Sequence, residues 1–351
     1  MDIEYLKRFR KGNYGIILYM SNLIKSLVKY ARESGDKSLK IVSAEIADEE
    51  HSLGQSLEIR RGRADIVDPT GKLDGREVGG PELGKIRYFL DGIERKHIPA
   101  YLGNIPMVYG YVAACVRVRG EDKRMRTHDF AFDESFYLPT DLMDVSPLTA
   151  GGIKVTDSKP EEDTILKMGE YARAAVGDKR GHLERQLSRK WIREMSGKGD
   201  YLLVDGSLIW TLGGNQERFD NPNIIGAVKS HPTQYFDAEG QSLIFALREG
   251  ERSGIFQPYA GESLTPVYSW YLRLRDPAGH DLSFGLIRVD APADDRTLEN
   301  ADMISRWLLA ERNPIALPDG RWDRMFYTIR DCEQYLRSKA PSEASIRAWR
   351  V

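Results

Sequence analysis

The sequence predicts an α/β protein, a mixed β-sheet flanked by helices with an N-terminal helical arm. Short runs rich in β-branched and aromatic residues recur from Ile86 onward, and stretches with helical spacing of apolar residues interrupt them. The order is strands, helix, strand, helix or loop, strands, helices, which is not the regular alternation of a parallel βαβ fold. At 351 residues the chain suffices for two domains or for one large domain with an appendage. Its 41% hydrophobic and 10% aromatic content excludes disorder over most of that length.

From Tyr14 to Arg32, the residues Ile16, Ile17, Met20, Leu23, Ile24, Leu27, Val28 and Ala31 trace the stripe of an amphipathic helix, which Gly35 ends. Residues 60–85 are rich in Gly, Pro and charge and read as a long loop. Within it, Gly79, Gly84 and Lys85 spell a phosphate-loop pattern, but Ile86 stands where Ser or Thr is needed and a strand follows where a helix should. A glycine-rich connector is the better reading.

IRYFLDG, PMVYGYVAACVRVR and HDFAFDESFYL then read as an antiparallel meander. Pro160 to Met195 has a helical register with acids in its first turn, and Gly177 and Gly181 are expected to divide it into two helices. YLLVDGSL and IIGAVKS are short buried strands, VYSWYLRLR and LSFGLIRVD two more, and helices around Leu298–Ala310 and Arg321–Ser338 close the chain.

Lys and Arg number 51 against 53 Asp and Glu, which excludes a globally basic nucleic-acid coat but not a local basic channel. Cys115 and Cys332 form neither a disulfide framework nor a zinc spacing, so a reduced, cytoplasmic setting is expected. The first residues, MDIEYLKRFRKGNYG, lack the features of a signal peptide, and no stretch has the apolar length of a membrane helix; no membrane association is expected.

The chemistry-bearing signal is a pair of aspartates, Asp91 in YFLDG and Asp205 in LLVDG. Each follows apolar residues and precedes glycine, so each should emerge at the end of a buried strand, where α/β sheets commonly place ligands. Two carboxylates on adjacent strands can hold Mg²⁺ or Mn²⁺, although the same pattern also describes an ordinary turn.

Strand-Asp-Gly, a helix with an acidic residue, a strand ending VDGSL and the strand IGAVKSHP together resemble the NurA nucleases, over about residues 85 to 340 in order of elements. The resemblance implies an RNase H-like fold, hydrolysis of DNA phosphodiesters with Mn²⁺ (or Mg²⁺), a homodimer, and partnership with a HerA-type hexameric ATPase. It matches Asp91 to the first-strand aspartate, Asp205 to the aspartate of the DGSL strand, and Lys229 to the lysine of the GxVK strand. Glu184, in HLERQL, is the candidate helical acid 21 residues before Asp205; Glu194 competes with it, and a solvated surface acid is the plain alternative. The family carries a tyrosine and then a histidine or acid on its last helix. Here RWDRMFYTIRDCEQYL offers Tyr327 for substrate and Asp331 or Glu333 as a final metal ligand, with no histidine and with Thr328 where many members have proline.

Lys229 beside metal-binding acids would contact the scissile phosphate. Arg288 in LIRVD, like Arg273 in RLRD, could contact phosphate or lie on a solvated strand face. The family also suggests contact with a second copy or with the ATPase ring for the amphipathic arm, whose stripe otherwise packs on the body.

These readings divide the chain into an arm and linker at 1–80, an RNase H-like nuclease domain at 81–340 and a tail at 341–351. The expected function is a metal-dependent DNA nuclease, exo- or endonucleolytic, in DNA repair or defence. The alternative is a catalytically inactive RNase H-like subunit that binds DNA or regulates a translocase.

Overall fold

The computed structural model describes residues 22–35, 39–41, 60–161, 164–212, 219, 222–259, 266–312 and 326–342. Helix α1 (Asn22–Ser34) and strand β1 (Leu39–Ile41) open the described chain. Ile16, Ile17 and Met20 lie outside the described residues. Ile24 and Leu27 are fully buried in the main core, so this part of the stripe is ordinary packing against the body.

The 60–85 segment departs from its expected loop. It supplies β2 (Arg60–Arg61), β3 (Ala64–Ile66) and β4 (Arg76–Glu77), which pair with β11 (Thr233–Gln234), β13 (Phe256–Pro258) and β12 (Glu251–Arg252) respectively. Strands of two or three residues carry no readable alternation, and pairing to a distant edge holds them. Gly84, from the false phosphate-loop pattern, lies flat on the Trp307 ring, where a Cβ would collide with the indole.

β5 (Ile86–Leu102), β6 (Ile105–Arg119) and β7 (Met125–Leu138) form the expected meander, with β8 (Val155–Asp157) parallel to β7 and helix α2 (Ser146–Ala150) between them. Next comes α3 (Ile165–Met195), one unbroken helix of 31 residues rather than two. Its glycines are accommodated because neighbours approach closely there: a Cβ at Gly177 would touch the Glu94 carboxylate. The cost of a helical glycine, about 1 kcal/mol, is small beside the burial of Ala172, Val176, Leu183, Leu187 and Trp191 on the sheet.

β9 (Tyr201–Asp205) runs parallel to β5 and to β10 (Ile224–Val228), with helix α4 (Leu208–Leu212) between them. After helix α5 (Ala238–Phe245), β15 (Leu286–Pro292) pairs antiparallel with β10, and β14 (Val267–Arg273) pairs antiparallel with β15, extending the sheet. Helices α6 (Asp295–Glu311) and α7 (Tyr327–Lys339) complete the described chain. Among the described residues, thirteen strands make one mixed sheet whose main path runs β3-β13-β14-β15-β10-β9-β5-β6-β7-β8.

Strict alternation along the central strands divides the core into two layers. Phe89, Ile93, Ala113, Cys115, Leu203 and Ile225 pack under α1, α6 and α7. Tyr88, Leu90, Val112, Val116, Leu202 and Val204 pack under α3 and α4. Among the described residues, no helix is long and apolar enough to cross a membrane.

Candidate active site

The two aspartate motifs lie side by side. Phe89 pairs with Leu203 and Leu90 with Val204, so the next residue on each parallel strand is its aspartate. By alternation, both point to the face of the sheet that α7 covers, as does Lys229, two residues beyond Ala227, the partner of Asp205. Asp205 ends its strand as expected, but Asp91 lies within β5, which continues to Leu102. What ends at Asp91 is the pairing with β9. A one-sided strand edge thus does the work expected of a strand end.

Glu184 approaches from the opposite layer, close enough to act electrostatically on Asp91 and to feel Asp205. It projects from α3 onto Gly92, where a Cβ would overlap its carboxylate. The glycine after Asp91 therefore leaves room for the helical acid, and it does so without a left-handed backbone. Gly92→Ala is expected to displace Glu184 while the sheet stays intact, lowering any cleavage at least ~10²-fold, the scale of a 1 Å misplacement. Turnover and melting temperature measured together check this, and unchanged turnover would sink it. Glu194, the competing acid, is exposed near the end of α3.

The electrostatics follow from three acids meeting at a half-buried place. Burial, then the carboxylates of Asp205 and Glu184, hold Asp91 well above the usual range, against the opposing pull of Lys229 and a hydrogen bond from the Gly92 amide. Burial pushes Glu184 up to about 7, opposed by Arg180 and reinforced by Asp205 and Glu94. Lys229 Nζ donates to Asp205 Oδ2 at 2.8 Å, and Arg180 Nε lies 3.6 Å from Glu184 Oε1 and 3.9 Å from Glu94 Oε2. That Glu94 oxygen is buried without a hydrogen bond among the described residues.

A carboxyl raised from 4.5 to about 7 stabilises the fold below pH 4.5, and the contribution is lost as pH rises through 7. Glu184 should therefore cost the metal-free protein about 3 kcal/mol between those limits. In chelator, the melting temperature of wild type should fall between pH 5 and 7.5 more steeply than that of Glu184→Gln, and Mn²⁺ should restore it at pH 7.5. Equal slopes for the two proteins would remove Glu184 from the cluster.

The donor chemistry of these residues, though not their present placement, suits a hard divalent cation. Asp91, Glu184 and Asp205 supply carboxylate oxygens, and their mutual repulsion is what such an ion would relieve. Among the described residues, no group of three or more His, Cys, Asp or Glu side chains is placed to hold a metal ion. Asp205 is turned onto Lys229 and Glu184 toward Arg180, so ligation requires these two side chains to rotate.

Other sequence candidates lie elsewhere. Asp331 accepts from Arg117 Nε at 2.7 Å and Glu333 pairs with Arg337 at 2.8 Å, so the structure brings neither onto Asp91 or Asp205. Tyr327 opens α7 half-buried. Arg288 is no exposed phosphate contact: it is 6% exposed and bonds Asp290, Ser207 and the Tyr235 hydroxyl. Arg273, fully buried, donates to the carbonyls of Phe245, Leu247, Leu282 and Phe284.

Asp290 is the buried anchor beside Asp205 that sequence reasoning missed. Completely buried, it accepts from Ser207 Oγ at 2.7 Å and Leu208 N at 3.2 Å, and so anchors the turn directly after Asp205. A readable signal existed. Arg288 and Asp290 are two apart on a strand, hence on one face, and a cation and an anion so placed can satisfy each other inside. Gly226 serves the same turn, since a Cβ there would stand 2.6 Å from the Gly206 carbonyl. The sequence matches no protein-family model and no curated protein.

Proposed function

We propose that the protein is a divalent-metal-dependent deoxyribonuclease with an RNase H-like core. The observation that carries this reading is the convergence of Asp91, Asp205 and Glu184, from β5, β9 and α3, beside Lys229. Support for the fold part comes from a three-stranded meander followed by a long helix and two strands parallel to the first, with β5 central in the order β7-β6-β5-β9-β10.

In this reading Asp91, Glu184 and Asp205 would hold Mn²⁺ or Mg²⁺, which would lower the pKa of the attacking water and offset charge on the leaving oxygen. Lys229, released from Asp205, moves its ammonium onto a non-bridging phosphate oxygen, where it stabilises developing negative charge. Asp290 and Arg288 fix the turn that carries Asp205 and touch no substrate. The resemblance to NurA nucleases extends the proposal to DNA ends as substrate, a homodimer as the working form and a HerA-type hexameric ATPase as the partner that feeds DNA.

One observation favours the rival reading, an inactive DNA-binding or translocase-regulating subunit: the acids of α7 are committed to arginines and leave three carboxylates for the site. Cleavage of linear, circular and single-stranded DNA, with Mn²⁺, Mg²⁺ and chelator, separates the two. Metal-dependent cleavage lost in Asp91→Asn supports the nuclease. DNA binding without cleavage in either metal supports the rival.

A further inference from the structure

A cavity of about 550 Å³ opens at the end of the sheet opposite the carboxylates. Its wall is made where four elements begin or end: Lys85 directly precedes β5, Ser196 to Gly199 follow α3, Tyr201 opens β9 and Asn223 precedes β10. Tyr201 and Asp205 are the two ends of β9, so about 13 Å of strand separates the cavity from the acids.

The chemistry of the wall is one-sided. Lys85 and Arg296 line it and no acid does. Lys85 is exposed and forms no ion pair among the described residues. Arg296 lies in the first turn of α6, a helix of 17 residues, with its guanidinium 3.4 Å from Asp294. That carboxylate also caps Thr297 N at 2.8 Å. Gly197 and Gly199, which line the cavity, have φ of 85° and 90°.

Asn223 is the second, independent observation. The residue is only 7% exposed and lines the cavity, yet its side-chain amide has no hydrogen-bond partner among the described residues. The amide is not sealed off from the cavity, so a ligand there would accept its N–H directly. Two cations, an amide and the hydroxyls of Ser196 and Tyr201 match a group with several anionic oxygens.

We propose that this cavity binds a phosphate group, either free phosphate or the phosphate of a mononucleotide, for which its volume has room. The inference does not rest on the nuclease reading, because binding here needs neither metal nor cleavage. It is tested by titration calorimetry on the full chain in chelator, with inorganic phosphate and a 5′-mononucleotide as separate probes. Wild type is expected to bind at least one probe saturably, and tighter binding of the nucleotide identifies it as the source. Lys85→Gln, a change at an exposed side chain, and Lys85→Gln with Arg296→Gln should weaken binding about tenfold or more, with melting temperatures near wild type. Asp205→Asn should bind as wild type does. Failure of both probes to bind, binding unchanged in the double variant, or binding lost in Asp205→Asn would each overturn the proposal.

Discussion

Asp205→Asn is expected to abolish DNA cleavage while the protein stays folded. The substitution keeps the size of the side chain and its place at the end of β9, and it removes one of three neighbouring carboxyl groups. The lost ion pair with Lys229 costs little, because both side chains are about a third to a quarter exposed and such pairs contribute about 0–1 kcal/mol. Relief of repulsion on Asp91 works in the other direction, so the melting temperature in chelator should equal or exceed that of wild type. Cleavage should nevertheless fall ~10³-fold or more, the scale of removing one preorganised charge-stabilising group. The two readouts move apart only if Asp205 serves function and not folding. Wild-type cleavage in Mn²⁺ would dismiss Asp205 from the chemistry, whereas a large loss of stability would make it structural.

Much of this site was legible because strand alternation is a strong local signal. YFLDG and LLVDG each announce a buried strand with a carboxylate at a fixed place, and the register of β5 against β9 turns two similar words into neighbours. Glu184 was legible only as one of two helical acids. Distance along the chain could not choose between it and Glu194, since the choice depends on which face of α3 meets Gly92. The unbroken course of α3 was misread for a related reason: Gly177 and Gly181 weaken a helix locally, but 31 residues packed across the meander outweigh two glycines. Strands β2 to β4 left no trace in the sequence, because two or three residues show no period and their partners lie more than 170 residues away. Arg288 was misassigned by treating a charge on a strand as exposed. Its counterion two residues on is what allows it to be buried.

Asp290→Ala is the second change with a large expected effect, and it acts through the fold. The carboxylate receives Arg288 Nε at 2.8 Å, Ser207 Oγ at 2.7 Å, Ser269 Oγ at 2.8 Å and the backbone of Leu208, all with no exposure of its own. Removing it leaves the Arg288 guanidinium buried without its counterion, a situation that costs about 3–5 kcal/mol. Replacing both partners, as in Arg288→Met with Asp290→Leu, removes the buried charge altogether and should recover most of that loss. Ser207 and the amide of Leu208 would still lack their acceptor, so the turn carrying Asp205 should remain loose. The double variant is therefore expected to melt near wild type and still cleave DNA poorly, with Mn²⁺ affinity reduced. Denaturant unfolding of the single and double variants, read beside Mn²⁺ titrations of each, decides the point. If the double variant regains stability and full metal affinity together, Asp290 serves the core alone and the turn after Asp205 is held by other contacts.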